Sequence, residues 1–494
     1  MNRPMRVLMV SAEVESFART GGLGDMVAAL SLALAKLGLD VVVVTPRYGI
    51  TRVPPNARQW PERVDARWGW GPSDVSHATV LECEESFEGG GRRRVCLLDV
   101  PELFDRTGIY ADARGEFADN DRRFAVLSRG ALEVGTRAWE GGPDVLHAHD
   151  WHTAFAVVYA KLVMGERWAK LPAVFTIHNL AFQGVYGEST LDRTHLPRSA
   201  FRPEVLWHDG AVNLMKGATA LADRITTVSP TYAREILTAA GGAGLDLHMR
   251  AHAHRLVGIL NGIDTDSADP HTDPVLARRY DVTSFEVGRA ACKAVLLQSV
   301  GLTDSDGPLF GCVARLTWQK GIDLVLPFVD AIVARGGRLL VVGQGETELE
   351  HRFVDAAARH PGKVVTKIAF DPPLSRRVFA GSDFFLAPSR FEPCGLTQLY
   401  AMRYGALPIV TNVGGLHDTV EPIADVGSAR ERGVGIVAPR ADEASLRIAF
   451  EAAFELYRDR PSVARAVARA MRKDVSWWGP ARAYVALYED VLGG

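Results

Sequence analysis

The 494-residue sequence has few cysteines, no surplus of charge of either sign and no long apolar run. Five cysteines, Cys83, Cys96, Cys292, Cys312 and Cys394, are too few and too dispersed for a disulfide framework, and none forms a C-x-x-C pair, so a reducing compartment is expected. Lys plus Arg number 56 against 59 for Asp plus Glu, a net charge of -3, so no basic excess drives non-specific nucleic-acid binding and any anion must be recognised by local groups. No apolar run approaches the roughly 18 residues of a membrane span. The opening Met1 to Val10 breaks into Ser11-Ala12-Glu13 before a signal-peptide core accumulates. The expectation is a cytoplasmic protein with neither nucleic-acid nor membrane partners.

What is present is the balance of an ordinary globular chain, 47% apolar and 23% charged, with length for two or three domains at roughly 150 residues each. Arg6-Val-Leu-Met-Val10 reads as a buried strand, Thr20-Gly-Gly-Leu-Gly-Asp25 as a loop, Met26 to Leu37 as a helix stopped by Gly38, and Val41 to Thr45 as a second strand: a β-α-β unit. Similar apolar runs that turn polar at their ends recur at Asp144 to His149, Ala173 to His178 and Arg224 to Ser229, where parallel sheets place ligands. Arg47 to Val95 reads as hairpins and loops. Turn residues cluster at Gly241 to Gly244 and from Asn261 to Pro274, and a second alternating series then runs from Pro308 to Val437. A Gly-Gly-Leu loop before a helix occurs once in each half, at Gly21 and at Gly414, by common design or by chance. Two α/β domains are expected, over 1–250 and 251–475. Helical spacing and aromatic bulk in 476–494 predict a helix that packs back across the domain boundary.

Several constellations could carry chemistry. The Gly22-Leu-Gly24 loop lacks a third small residue at Val27 and an acid after the second strand, which disfavours a nicotinamide site; Arg19 at its mouth and the following helix could hold an anion. A tight turn needed for packing is the plainer reading. Arg315 and Lys320 follow a buried strand, and a forked guanidinium beside a mobile ammonium suits a diphosphate, although solvated surface cations are common. Glu392 stands between a strand and a helix in Ser389-Arg-Phe-Glu-Pro-Cys-Gly-Leu-Thr-Gln398, where Gly395 opens the backbone to a ligand and the carboxylate could contact sugar hydroxyls. Cys394 reads as a packing or lining residue. His147-Ala-His-Asp-Trp-His152 invites a metal reading and hence a metal-dependent hydrolase. The residues alternate faces, however, and only His248, His252 and His254 could complete a shell. Asp150 and His178 at two strand ends suit a polyhydroxyl ligand better.

Together these runs resemble the glycogen and starch synthase family of retaining glycosyltransferases, along nearly the whole chain. The matching runs are Asp119-Asn-Asp-Arg-Arg-Phe124, His147 to His152, Thr176-Ile-His-Asn-Leu180, Asn213-Leu-Met-Lys-Gly217, Thr227-Val-Ser-Pro-Thr-Tyr232, Asn261-Gly-Ile-Asp264 and Ser389 to Gln398. The resemblance implies the GT-B arrangement, two Rossmann-like domains facing across a deep cleft, with no metal and no cofactor. It implies ADP-glucose as donor and the non-reducing end of an α-1,4-glucan as acceptor. By position, Arg315 and Lys320 would grip the diphosphate with backbone donors from Gly395, Leu396 and Thr397, and Cys394 would line the substrate site. Glu392 and Asn261 would hold the donor glucose, His178 and Asp150 would line the sugar and acceptor side, Phe370 would meet the adenine, and Arg19 and Gly22 would carry the first loop's phosphate contact. Three departures stand out: Arg19 for the usual lysine, Ala268-Asp-Pro270 for Trp-Asn-Pro, and Val413 for a threonine. UDP-glucose or another nucleotide sugar as donor, and a non-catalytic glucan-binding protein, are the remaining alternatives.

Overall fold

The computed structural model describes residues 3–493. The chain divides into two compact units: one runs to Asn261 and takes up the chain again at Trp477, the other is Gly262–Ser476.

In the first unit the principal strands are β1 (Arg6–Val10), β2 (Asp40–Pro46), β3 (Val75–Ser86), β4 (Arg92–Asp99), β5 (Val145–His149), β6 (Ala173–Ile177), β7 (Arg224–Thr227) and β8 (Leu256–Gly258). They lie in one sheet in the order β8-β7-β6-β5-β1-β2-β4-β3, with the short pieces Arg58–Gln59 and Val64–Arg67 paired to β3. From β8 to β4 every pairing is parallel; β3 returns antiparallel to β4. The hairpins expected between Arg47 and Val95 are therefore one long antiparallel edge. Because β8 pairs with β7, the first unit continues to Asn261 and does not stop at position 250.

Residues of opposite parity in the central strands enter different cores, as the two-residue period of a strand requires. Leu8, Val10, Val42 and Val44 join one apolar cluster; Val7, Met9, Val41 and Val43 join another. The second cluster is covered by the helix Gly22–Lys36 through Met26, Val27, Leu30 and Leu34 and by the terminal helix Trp478–Gly493 through Ala481, Tyr484, Leu487 and Tyr488. Tyr488 is fully buried, and its hydroxyl lies 2.7 Å from His147 Nδ1. A buried aromatic phenol needs such a partner.

The second unit holds a six-stranded, wholly parallel sheet of β9 (Leu309–Val313), β10 (Arg338–Val342), β11 (Val364–Lys367), β12 (Phe384–Ala387), β13 (Leu407–Thr411) and β14 (Ile436–Ala438), in the order β11-β10-β9-β12-β13-β14. The helix expected near Asp323 to Ala334 is a 3-10 segment, Ile322–Phe328, followed by an α-helix, Val329–Ala334. Pro327 supplies no amide for the α pattern there.

Strand order reverses once in each sheet, between β1 and β5 and between β9 and β12. Loops leaving the carboxyl ends of strands on either side of such a reversal diverge and leave a crevice for ligands. The segments after β1 and β5 contain Glu13, the glycine loop and Asp150; those after β9 and β12 contain Arg315, Lys320 and Glu392.

Candidate active site

In the second unit the two strand-end loops are locked together. Gly321 has φ +62, and a side chain there would strike the carbonyl of Pro388 at 2.0 Å, so only glycine lets the loop after β9 lie against the loop after β12. Lys320 Nζ donates to Glu392 Oε2 at 2.5 Å, and the Ser389 hydroxyl donates to the same oxygen at 3.0 Å. Glu392 is buried, so its charge is offset inside the protein. Arg390 forms a two-pronged pair with Asp323 and serves as an anchor. Arg315, just past β9, is exposed and makes no side-chain hydrogen bond or ion pair among the described residues. It is an available cation next to a neutralised one.

After Glu392 the chain turns through Cys394, a buried cysteine outside any disulfide, and Gly395, whose φ of +71 favours glycine, into the helix Thr397–Arg403. Gln398 Nε2 braces this turn by donating to the carbonyls of Cys394 and Gly395. Among the described residues, the amides of Gly395 and Leu396 donate to no group of the chain. The second Gly-Gly-Leu loop packs directly behind: Gly415 donates its amide to the Glu392 carbonyl at 3.0 Å, and a side chain at 415 would meet the Cys394 carbonyl at 2.1 Å. Phe370 stands 71% exposed between β11 and the helix Pro372–Gly381.

In the first unit Asp150 ends β5 with φ +58 and ψ 174, a conformation that costs a non-glycine residue of order 1–3 kcal/mol and clusters at functional sites. Its Oδ1 accepts the His178 amide at 2.7 Å. Burial pushes this carboxyl up to about 7, although the amides of His178 and Asn179 pull the other way. His178 lies 3.3 Å from His149, and burial lowers it to about 3, so its ring is neutral at physiological pH. Asn261 is buried with its Oδ1 unpartnered in the chain, which suits a ligand donor.

One expectation changes and one alternative loses support. The loop after β1 does not offer all its amides to an outside anion, because those of Thr20 and Gly21 are taken by the Glu13 carboxylate at 2.6 and 3.2 Å. Arg19 pairs with Asp25 at the start of the following helix. The metal reading loses its donor set: both ring nitrogens of His147 are hydrogen-bonded, to Tyr488 and Thr176, and His152 stacks on Tyr110. His248 and His252 are held by Thr219 and Arg255. Among the described residues no group of three His, Cys, Asp or Glu side chains is placed to hold a metal. Sequence reasoning missed Glu13, Asp25, Tyr110 and Gly415. An acid directly after a buried strand and before a glycine loop was a readable signal for Glu13; Tyr110 had none.

Residues 6–251 match the starch synthase catalytic domain and residues 307–455 match glycosyl transferases group 1. The chain is 43% identical to a glycogen synthase of Myxococcus xanthus, covering 99% of this chain and 100% of that one. It is 41% identical to glycogen synthase 2 of Agrobacterium fabrum, covering 99% and 93%. Among solved structures it is similar to the catalytic domain of starch synthase IV from Arabidopsis thaliana bound to ADP and acarbose, with 32% identity, TM-score 0.89 and full coverage of both chains. The fold is also that of a sucrose-phosphate synthase from Thermosynechococcus elongatus, at 17% identity, TM-score 0.58 and 99% coverage of both. No helix among the described residues is long and apolar enough to cross a membrane. With a Rossmann-like sheet in each unit and relatives aligned from end to end, the chain is a GT-B enzyme and belongs to the glycogen and starch synthase family of glycosyltransferases.

Proposed function

We propose that the chain transfers glucose from ADP-glucose to the non-reducing end of an α-1,4-glucan with retention of configuration. The observation that carries this reading is the Lys320–Glu392 pair, seated at the strand-order reversal beside available backbone amides and the unpaired Arg315. As the bond from glucose to diphosphate breaks, negative charge grows on the leaving phosphate and positive charge on the sugar carbon. Fixed cations and amides at the first, and a carboxylate at the second, stabilise that state more than the ground state. Arg315, Lys320 and the turn Cys394 to Thr397 take the diphosphate; Glu392 and Asn261 take the glucose; Phe370 takes the adenine face.

Asp150 and neutral His178 serve the sugar and acceptor side, and Arg19 and Gly22 add a phosphate contact. The structure named for its bound ADP and acarbose, at 32% identity, supports this donor and acceptor class. Five cysteines outside any disulfide suit a reducing cytoplasm.

The test is to incubate the purified protein with glycogen and either ADP-glucose or UDP-glucose and to measure released nucleotide and chain extension. ADP release that depends on glycogen is expected. Release of UDP alone would overturn the donor, and release without extension would overturn the transfer.

A further inference from the structure

The run Asp119 to Phe124 has no part in the transfer described so far, yet three of its polar side chains, Asn120, Asp121 and Arg123, are buried. Arg123 reaches no carboxylate. Its guanidinium donates to the carbonyls of Leu103 and Ile109, at 2.8 and 2.9 Å, and to Asn120 Oδ1 at 2.6 Å. Asn120 Nδ2 donates to the Tyr110 carbonyl at 3.0 Å. Burying an arginine without a counter-charge is costly, so these bonds must fix something that matters. What they fix is the backbone at 109–110. Tyr110, stacked on His152 with centroids 4.4 Å apart, then donates its hydroxyl to Glu13 Oε1 at 2.5 Å.

Glu13 is the other end of this chain of contacts and is 3% exposed. Its Oε1 also accepts the Thr20 hydroxyl at 2.9 Å, and its Oε2 accepts the amides of Thr20 and Gly21. Gly24 allows the close approach, since a side chain there would meet Arg19 Cβ at 2.9 Å and Glu13 Cβ at 3.4 Å. One carboxylate thus ties Tyr110 to the glycine loop next to Arg19.

We propose that Glu13 is a positioning residue for the donor: its carboxylate is a rigid bridge, braced by Asn120 and Arg123 through Tyr110, that sets where the glycine loop presents Arg19. The inference rests on the reading that this loop contacts the donor phosphate. What matters is reach, not charge. In Glu13→Gln the carbonyl oxygen still accepts both loop amides, and the amide group donates to the hydroxyls of Thr20 and Tyr110, which rotate to accept. In Glu13→Asp the charge is kept but the carboxylate is drawn back by one methylene and cannot span both partners.

Two measurements decide. Hydrogen exchange read at residues 17–24 needs no substrate; Glu13→Asp is expected to speed exchange of the Thr20 and Gly21 amides about 100-fold, whereas Glu13→Gln leaves them protected. In steady-state transfer, Glu13→Asp raises the KM for ADP-glucose about 10- to 100-fold with the KM for glycogen unmoved, and Glu13→Gln stays within about 3-fold of the parent. Equal or greater damage from Gln, or an unchanged donor KM or unchanged exchange in Glu13→Asp, would overturn the proposal. A parent protein that transfers no glucose from either nucleotide sugar would instead remove the functional reading, and the exchange result would still judge the bridge.

Discussion

Lys320 and Glu392 meet at 2.5 Å from opposite sides of the strand-order reversal in the second unit, so each neutralises the other. On the proposed reading, a diphosphate competes with Glu392 for Lys320. Lys320→Ala is expected to lower kcat/KM about 10²- to 10³-fold and to destabilise the fold by about 1–3 kcal/mol, because it leaves a buried carboxylate without its cation. Glu392→Ala should abolish transfer while ADP binds as tightly as before or tighter, since the ammonium is released. Calorimetric titration with ADP checks this; weaker ADP binding in Glu392→Ala than in Lys320→Ala would contradict it.

The turn that carries Glu392 depends on a glycine from another loop. Gly415→Ala puts a methyl group against the Cys394 carbonyl and displaces the turn, so turnover should fall at least about 100-fold. Gly427→Ala is the control: its φ of +77 strains any side chain, but no atom lies within 4 Å, so it should lower the melting temperature and leave transfer intact. Equal activity in the two variants would show that the packing behind Glu392 is not needed.

Asp150 gives a pH signature. Its carboxyl titrates at about 7 in the folded chain against 3.8 ordinarily, so the fold disfavours the ionised form. Its contribution is fully present below 3.8 and is lost as pH rises toward 7, a penalty on the order of a few kcal/mol. Asp150→Asn removes the titration. The melting temperature of the variant relative to the parent should therefore climb between pH 5 and pH 8, and a difference independent of pH would refute the shift.

Imidazoles on the neighbouring strand ends act in the opposite direction. His147, His152 and His178 are lowered by burial from 6.5 to about 3, and burial lowers His149 well below its ordinary value too. Neutral in the fold and ready to charge when unfolded, they support the first unit fully above 6.5. As pH falls toward 3 each withdraws about 1.4 kcal/mol per pH unit. Hydrogen exchange corrected for its intrinsic rate should show β5 and β6 losing protection between pH 7 and pH 5 before β9 and β12 do. Simultaneous loss would count against this assignment.

Much of this was legible in the chain. Continuous apolar runs such as Val41 to Val44 can only be strands covered on both faces, and their polar ends marked Asp150, His178, Arg315 and Glu392 as strand-end residues. What was not legible depended on three-dimensional neighbours. Nothing local to Tyr110 announces that its hydroxyl meets Glu13. Spacing alone made His147 to His152 look like ligands, because a sequence does not show that Tyr488 comes back to occupy one of the imidazoles. The end of the first unit was misplaced for a related reason: turn residues at Gly241 to Gly244 look like a boundary, yet Leu256–Gly258 still has a strand to pair with.

That return of Tyr488 bears on how the chain can be made. The sheet face formed by Val7, Met9, Val41 and Val43 is sealed partly by side chains from Trp477 onward, with the whole second unit translated in between. On the ribosome the second unit can therefore complete itself while the earlier-made one still waits, its oily flank uncovered, for the final helix to emerge.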